Sequence, residues 1–393
     1  MDLEYSTEQS LLRDSVERFV RDDYAFQARQ KILANGGFSA PHWTTFAELG
    51  WLGIPFAEED GGFGGSAVDL AVIMEGVGRG LVLEPFLPTI MAGGLIAAAA
   101  SSAQKQAWLT PLIAGECKLA VAFAEPQSRY DLADCTTRAA ATGAGWRLEG
   151  RKCVVVGGKI ADAFIVVART SGDRRDRTGL SLFLVPADAD GLTVRRYDTN
   201  DGQGAADLEL AGVALGPDAL LGPDGAALDP LERAVDGATA AVAAEAVGAM
   251  AALCDATLAY LKVRKQFGKP LGSNQALQHR MVDMVIALEE ARSAALAASL
   301  SMTEDDAAAR SRAISLAKIE IGRTATKVGQ EAVQLHGAMG VTDELDVGHY
   351  FKRLTIIATS FGNADWHIRR VAALDAATRR SAPEQPAPGR TAA

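Results

Sequence analysis

The hydrophobic period changes twice along the chain, and this limits the possible folds more than any other feature. Apolar residues recur at helical spacing up to about Gly115. From Lys118, short apolar runs alternate with Gly, Asp and Pro, which is typical of a compact β domain. Helical spacing returns at Leu231 and continues to about Ala377. The sequence therefore predicts a set of helices, then strands, then a second set of helices.

A chain of 393 residues is large for one hydrophobic core, so more than one domain is expected. The changes of period place an N-terminal helical domain at 1–117, a middle β domain at 118–225 and a C-terminal helical bundle at 226–380. The remaining tail, 381–393, is rich in Pro and Ala and is expected to be disordered.

Turn and capping residues place several element ends. Ser6-Thr7-Glu8-Gln9 has the pattern of a capping box and predicts an opening helix to about Ala28. The turn Thr142-Gly143-Ala144-Gly145 predicts a β-hairpin. Gly76-Val77-Gly78-Arg79-Gly80 resembles part of a dinucleotide-binding motif, but it follows a helical pattern and not a strand. We therefore exclude a Rossmann site there.

The composition argues against several classes of function. A net charge of −10 argues against a nucleic-acid or anionic-membrane partner. The longest apolar stretch, Ile90 to Ala100, is too short to span a bilayer, and the five histidines show no metal-ligand spacing. The cysteines lack a C-x-x-C motif, which indicates reduced thiols in a cytoplasmic protein. They are Cys117, Cys135, Cys153 and Cys254.

Two short segments have the chemistry of a phosphate clamp. The first runs from Arg264 to Leu271 and is followed by Gln275, and the second is the glycine turn from Gln334 to Gly340. An arginine can donate two hydrogen bonds to a phosphate, and the amides of a glycine turn can donate to phosphate oxygens. Taken alone, the glycine turn also fits an ordinary connection between two helices.

Together these segments resemble the R-x-x-F-G-x-x-L-x-x-x-Q and Q-x-x-G-G-x-G signatures of the acyl-CoA dehydrogenase family, with Ala338 in place of one glycine. The resemblance implies that family's fold: an N-terminal all-α domain, a middle β-barrel domain and a C-terminal four-helix bundle. It also implies FAD, held at its adenine and pyrophosphate end across a subunit boundary. The implied contacts are Arg264, Gln266, Phe267, Gln275, Gln334, Leu335, Gly337, Ala338 and Gly340.

The catalytic base of the family is missing from its usual places. Family members remove an α proton from an acyl-CoA thioester with a carboxylate while a hydride passes to the flavin. The glutamate of the family's Y-E-G-T motif maps to Phe361, and the alternative glutamate position maps to Ala238. Asp365 is a candidate for a relocated base because it lies four residues after Phe361 on a predicted helix. An acid that only favours the helix dipole is the competing interpretation of Asp365.

The half of the site that holds the flavin ring and the substrate departs from the family pattern. The T-E-P-G-A-G-S-D segment appears as Ala124 to Asp131, and the W-I-T-N strand appears as Val154 to Gly157. Thr239 replaces the usual arginine of a pair that contacts acyl-CoA, although its companion acid remains as Asp236. This pattern resembles the small subunit of heteromeric bacterial acyl-CoA dehydrogenases such as pimeloyl-CoA dehydrogenase.

Three hypotheses follow from the resemblance. The chain is a subunit without its own base that completes the flavin site of a homologous base-bearing large subunit, as in a heterotetramer. Alternatively, it is a self-sufficient homo-oligomer that uses Asp365, or a flavin monooxygenase or oxidase on the same fold. The resemblance implies an acyl-CoA substrate, such as the dicarboxylyl thioester pimeloyl-CoA, and electron-transfer flavoprotein as the electron acceptor.

Overall fold

The computed structural model describes residues 5–381, which form helices, then strands, then helices in the predicted order. The predicted disordered tail lies, after Ser381, outside the described residues. The first part contains six α-helices. They are α1 (Thr7–Asp22), α2 (Phe26–Ala34), α3 (Ala40–Glu48), α4 (Ala67–Gly80), α5 (Phe86–Ala99) and α6 (Ser102–Ile113).

The opening helix begins as predicted but ends earlier. Ser6 caps α1, and its side chain accepts a hydrogen bond from the backbone N–H of Gln9. The prediction that this helix continues to Ala28 is wrong, because α1 ends at Asp22 and α2 begins at Phe26. The chain leaves the helix to bury Tyr24, whose hydroxyl donates to Glu84 at 2.7 Å.

The middle part is an eight-stranded sheet. Its order is β6-β7-β3-β2-β4-β5-β8, and β1 pairs in parallel with β4. The predicted hairpin at Thr142-Gly143-Ala144-Gly145 is confirmed, since β2 and β3 pair around it. The strands are β1 (Leu119–Ala122), β2 (Arg138–Thr142), β3 (Gly145–Val156), β4 (Ala163–Arg169), β5 (Leu180–Pro186), β6 (Leu192–Asp198), β7 (Gly204–Leu215) and β8 (Leu220–Leu221).

The last part is built on long helices. Four of them, α7 to α10, share one buried cluster, and α11 packs against α9. The bundle helices are α7 (Leu228–Val263), α8 (Gln275–Ser301), α9 (Ala307–His336), α10 (Asp346–Thr359) and α11 (Ala364–Ser381). Within residues 5–381, α7 is the one helix long and apolar enough to cross a membrane, but 89% of its most apolar window is buried inside the protein. It is a core helix.

The three parts meet along α7. Its first half, including Leu231 and Ala238, belongs to the core shared with the N-terminal helices and the strands. Its second half, including Met250, belongs to the bundle core. Leu87 and Phe361 each pack against both cores, so we call the place where they lie the seam. The proposed boundaries at 117/118 and 225/226 fall between α6 and β1 and between β8 and α7.

Candidate functional site

The first predicted clamp segment forms a small hairpin between α7 and α8. Strands β9 (Lys265–Gln266) and β10 (Lys269–Pro270) pair around Phe267 and Gly268, both of which have positive φ. Phe267 is 99% exposed. A phenyl ring at positive φ with no cover from its own chain is costly unless another molecule contacts it. Arg264 and Gln275 flank the hairpin and are also exposed.

The second clamp segment closes the C-terminal end of α9. Gly337 has a φ of +60° and follows the last helical residue, His336. A Cβ at Gly340 would lie 2.8 Å from the carbonyl oxygen of Val333, so the turn has no room for a side chain there. The side chain of Leu335 is buried in the bundle core, so its predicted contact with the cofactor would be made by its backbone.

The structure brings the two clamp segments to the same end of the bundle. Tyr260, near the end of α7, stacks on His336 with ring centroids 4.4 Å apart. Its hydroxyl also donates to the carbonyl oxygen of His336 at 3.4 Å. Arg264 follows one turn later. Exposed Gln334, Gly337 and Ala338 therefore lie at the end of the bundle that carries the Arg264 hairpin.

Several large apolar side chains on this part of the bundle are exposed. They occur on α8, on the two clamp segments and at the residues directly beside those segments. Such residues on a protein surface mark contact with another molecule when they lie together. They are Val263, Phe267, Val282, Val285, Ile286, Met339 and Val341.

On the opposite half of the predicted flavin site, two segments run side by side. The backbone N–H of Cys153 donates to the carbonyl oxygen of Ala124 at 2.9 Å, which joins the Ala124 segment to β3. Val154 has a φ of +50° and its side chain is 55% exposed; that of Val156 is also exposed. These side chains can cover a flavin ring, but they cannot hydrogen-bond to it.

A buried ion pair fixes these two segments, and sequence reasoning missed it. The side chains of Glu125 and Lys152 are fully buried, with Nζ 2.7 Å from Oε1. Burial alone would raise the pKa of Glu125, but the ammonium of Lys152 and hydrogen bonds from Thr136 and Thr137 outweigh it and hold that pKa well below its usual range. No local pattern marks this pair, because Lys152 lies between an arginine and a cysteine in the sequence and Glu125 belongs to a separate segment.

The two usual base positions both lie at the core that the N-terminal helices share with the strands and the start of α7. Ala238 is buried in the core shared by the N-terminal helices, and half-buried Phe361 packs against that same core. Phe361 has a φ of +56° and lies in the connection from α10 to α11. Asp365 lies in the first turn of α11 with its side chain exposed to solvent.

The connection that carries Phe361 is held by a buried lysine. Lys318, on α9, donates from Nζ to the carbonyl oxygens of Ile357, Ala358 and Gly362, at 2.8, 3.2 and 3.0 Å. Burial lowers the pKa of Lys318 to about 7. His367 is buried beside Gly362, and burial together with the nearby Lys318 ammonium lowers the pKa of His367 to about 3. The imidazole is therefore neutral at physiological pH.

The predicted substrate acid is satisfied within its own chain. Asp236 is fully buried on α7 and accepts hydrogen bonds from Ser311 Oγ at 2.8 Å and Arg370 Nη1 at 3.0 Å. Arg310 Nε lies 3.6 Å from the same carboxylate. Thr239 donates its hydroxyl to the carbonyl oxygen of Val235. Asp236 therefore has a structural role in joining α7, α9 and α11.

Comparison with models of known protein families identifies the family of this chain. The family models for the acyl-CoA dehydrogenase N-terminal, middle and C-terminal domains match residues 6–116, 120–213 and 231–374. The chain belongs to the acyl-CoA dehydrogenase family. It is therefore similar over nearly its whole length to FAD-dependent oxidoreductases that act on a CH–CH bond of an acyl-CoA, and FAD is the cofactor of this fold.

Similarity to individual acyl-CoA dehydrogenases supports the same family. The chain is 30% identical to the "Probable acyl-CoA dehydrogenase YngJ" of Bacillus subtilis, over 93% of this chain and 97% of that protein. It is 28% identical to the human mitochondrial short-chain specific acyl-CoA dehydrogenase, over 84% of this chain and 80% of that protein. Among solved structures, a Tcur3481-Tcur3483 steroid ACAD variant has 29% sequence identity and a TM-score of 0.85. The match covers 95% of this chain and 99% of that chain.

In this acyl-CoA dehydrogenase chain, the residues at the dinucleotide end of the site fit FAD better than the residues at the ring end. At the dinucleotide end, exposed Arg264, exposed Phe267 and the glycine turn supply a cation, an uncovered aromatic ring and exposed turn backbone. At the ring end, Val154 and Val156 offer only apolar cover. FAD supplies the hydride acceptor when it is bound.

Proposed function

We propose that this chain is a subunit of an FAD-dependent acyl-CoA dehydrogenase and that a homologous base-bearing subunit carries out proton abstraction. The observation that carries the proposal is the apolar side chain at each of the usual base positions, half-buried Phe361 and buried Ala238. A general base must be able to accept the proton it removes, and neither side chain can. The chain's own contribution is then to bind and orient FAD.

The exposed clamp supports an assembly. Arg264, Phe267 and the glycine turn face away from the chain's own core, so a cofactor held by them also faces a neighbouring subunit. The exposed apolar residues of α8 supply the surface for that contact. The 29% identical steroid ACAD carries a double name, Tcur3481-Tcur3483, which also suggests a pairing of unlike subunits.

We propose an acyl-CoA with a dicarboxylyl chain, such as pimeloyl-CoA, as the first substrate to test, and electron-transfer flavoprotein as the acceptor. Both come from the resemblance of the altered ring half to the small subunits of heteromeric dehydrogenases. In the described structure, this chain's own carboxylate at the substrate half, Asp236, is held by Ser311 and Arg370 and is not available as a base.

The experiment compares the purified chain with the chain co-expressed with a homologue that carries Y-E-G-T. Flavin absorbance is followed after pimeloyl-CoA is added. We expect bleaching only in the co-expressed assembly, and weak flavin binding by the chain alone. A full complement of flavin in the isolated chain that bleaches on addition of an acyl-CoA would contradict the proposal.

The hypothesis of a relocated base is tested separately with Asp365→Asn. Because Asp365 is exposed in the first turn of α11, we expect its loss to leave the activity of the assembly within about twofold and to remove only a favourable helix-dipole interaction. A loss of a thousandfold, with flavin content unchanged, would instead make this chain the catalyst.

A further inference from the structure

We infer that aromatic side chains close this chain's own acyl-CoA cleft, with Phe361 filling its inner end and the contact between Tyr130 and Trp366 crossing its outer part. The cleft then forms part of a scaffold for flavin and takes no acyl chain. The inference rests on the proposed function, in which another subunit binds and oxidises the substrate. It adds a physical reason why this chain cannot do so.

The position of Phe361 defines the inner closure. A base in this family must face the α carbon of the acyl chain, so a bulky side chain at this position would extend toward the space of that carbon. The phenyl ring extends from the α10–α11 connection and packs both on the bundle core and on the core shared with the N-terminal helices and strands. A ring that contacts both walls of the seam occupies the space between them.

The inner closure is fixed in place. Lys318 holds the carbonyl oxygens on both sides of Phe361, those of Ala358 and Gly362. His367 packs against Gly362 so closely that a Cβ there would lie 2.6 Å from Nε2. A bulky residue at a φ of +56° is strained and persists only where its surroundings hold it. These contacts fix the backbone on both sides of Phe361, and the two cores hold its ring.

The outer contact joins the flavin-facing segment to the bundle. Tyr130 stands at the serine position of the family's T-E-P-G-A-G-S-D motif, and its ring lies edge-on to Trp366 of α11, with centroids 5.8 Å apart. The guanidinium of Arg370 lies 5.5 Å from the centre of the Trp366 ring, and Asp236 holds that guanidinium at 3.0 Å. The buried carboxylate of Asp236 thus fixes the tryptophan side of the contact.

Isothermal titration of the full-length chain with FAD in excess tests both closures, with CoA and hexanoyl-CoA as probes. Wild type should bind hexanoyl-CoA no more tightly than CoA. Phe361→Ala should bind hexanoyl-CoA roughly tenfold or more tightly than CoA, because the acyl chain then buries several methylenes. Tyr130→Ser should tighten binding of both probes by a similar factor. Phe38→Ala, which removes a partly buried ring beside Trp43, is the matched control and should change neither.

The outcomes separate this inference from the proposed function. A tenfold preference of wild type for hexanoyl-CoA without bleaching would overturn the closure and leave the proposed function intact. Bleaching of wild-type flavin by hexanoyl-CoA would overturn the proposed function itself. If Phe361→Ala does not fold, Phe361→Leu replaces it. A folded variant at this position with no gain in acyl preference overturns the inner closure, and no gain with Tyr130→Ser overturns the outer one.

Discussion

At the scale of single residues, Lys318 shows how one buried cation can organise a functional connection. Its Nζ lies at the C-terminal end of α10, where the last carbonyl oxygens and the helix dipole favour a positive charge. Burial opposes that charge and lowers the pKa of Lys318 to about 7. At Lys318, the helix end therefore favours the charged form and burial disfavours it.

This competition predicts a pH dependence of stability. The folded pKa of Lys318 lies below its ordinary value of 10.5, so between pH 7 and that value the unfolded chain binds more protons and stability rises with pH. Relative to Lys318→Met, the free energy of unfolding of wild type should increase by about 2 kcal/mol from pH 7 to pH 9. Urea unfolding at several pH values measures this. Parallel curves for the two proteins would show that Lys318 stays charged throughout.

Arg264 allows a direct test of the dinucleotide clamp. Arg264→Ala removes a charge-assisted contact of about 1.5–3 kcal/mol, so flavin affinity of the assembly should fall about 10- to 150-fold. Flavin content after gel filtration measures the loss. Lys262→Ala, an exposed cation two residues earlier on α7, is the matched control and should retain flavin. Equal flavin content in both variants would show that Arg264 is only a solvated residue at a helix end.

Sequence reasoning could find the exposed half of this site and not the buried half. Arg264 and the glycine turn carry a local pattern of residue types at fixed spacing. Lys318, Lys152 and Glu125 carry none, because their partners come from distant parts of the chain and a lone lysine in a sequence looks like a surface residue. Their role follows only from burial.

At the scale of secondary-structure elements, α4 and α7 cross so closely that glycine is required on both helices. A Cβ at Gly78 would lie 1.9 Å from the carbonyl oxygen of Glu245, and a Cβ at Gly248 would lie 1.8 Å from that of Glu75. The glycine pattern that could be mistaken for a dinucleotide motif is thus explained by helix packing. The same crossing joins the N-terminal domain to the bundle.

Two glycines of α7 should respond oppositely to the same substitution. Gly248→Ala forces the backbones of α4 and α7 apart and should cost about 3 kcal/mol or more, as overpacking does. At Gly237 the new Cβ would meet only Met302 Cε at 3.4 Å, so Gly237→Ala should stabilise by about 0.5–1 kcal/mol through helix propensity. Thermal unfolding measures both. A loss of stability in Gly237→Ala would show that the helices beside Gly237 pack too closely for a methyl group.

The order of elements was predictable because hydrophobic period is a local property of the sequence. The end of the first helix was not, since Tyr24 leaves α1 to meet Glu84, which is distant in the chain. The parallel pairing of β1 with β4 was not predictable either, because hydrophobic period does not show which distant segments pair.

At the scale of the whole molecule, the exposed apolar side chains of α8 should control assembly. Ile286→Asp places a charge among exposed Val282 and Val285 and should lower both the molecular mass in solution and the flavin content of the assembly. Light scattering after gel filtration measures the mass. Leu11→Asp, at an exposed apolar residue on α1, is the matched control. An unchanged mass with Ile286→Asp would place the subunit contact elsewhere.

The position of α7 also determines the order in which the chain can fold during synthesis. The N-terminal helices and the strands share their core with Leu231 and Ala238, which emerge from the ribosome after them. The second half of α7 in turn waits for α8 to α10, which cover Met250. The first core therefore exposes apolar surface until the middle of the chain is made. A nascent chain truncated before Leu228 should bind chaperones, whereas one truncated after Ser381 should not.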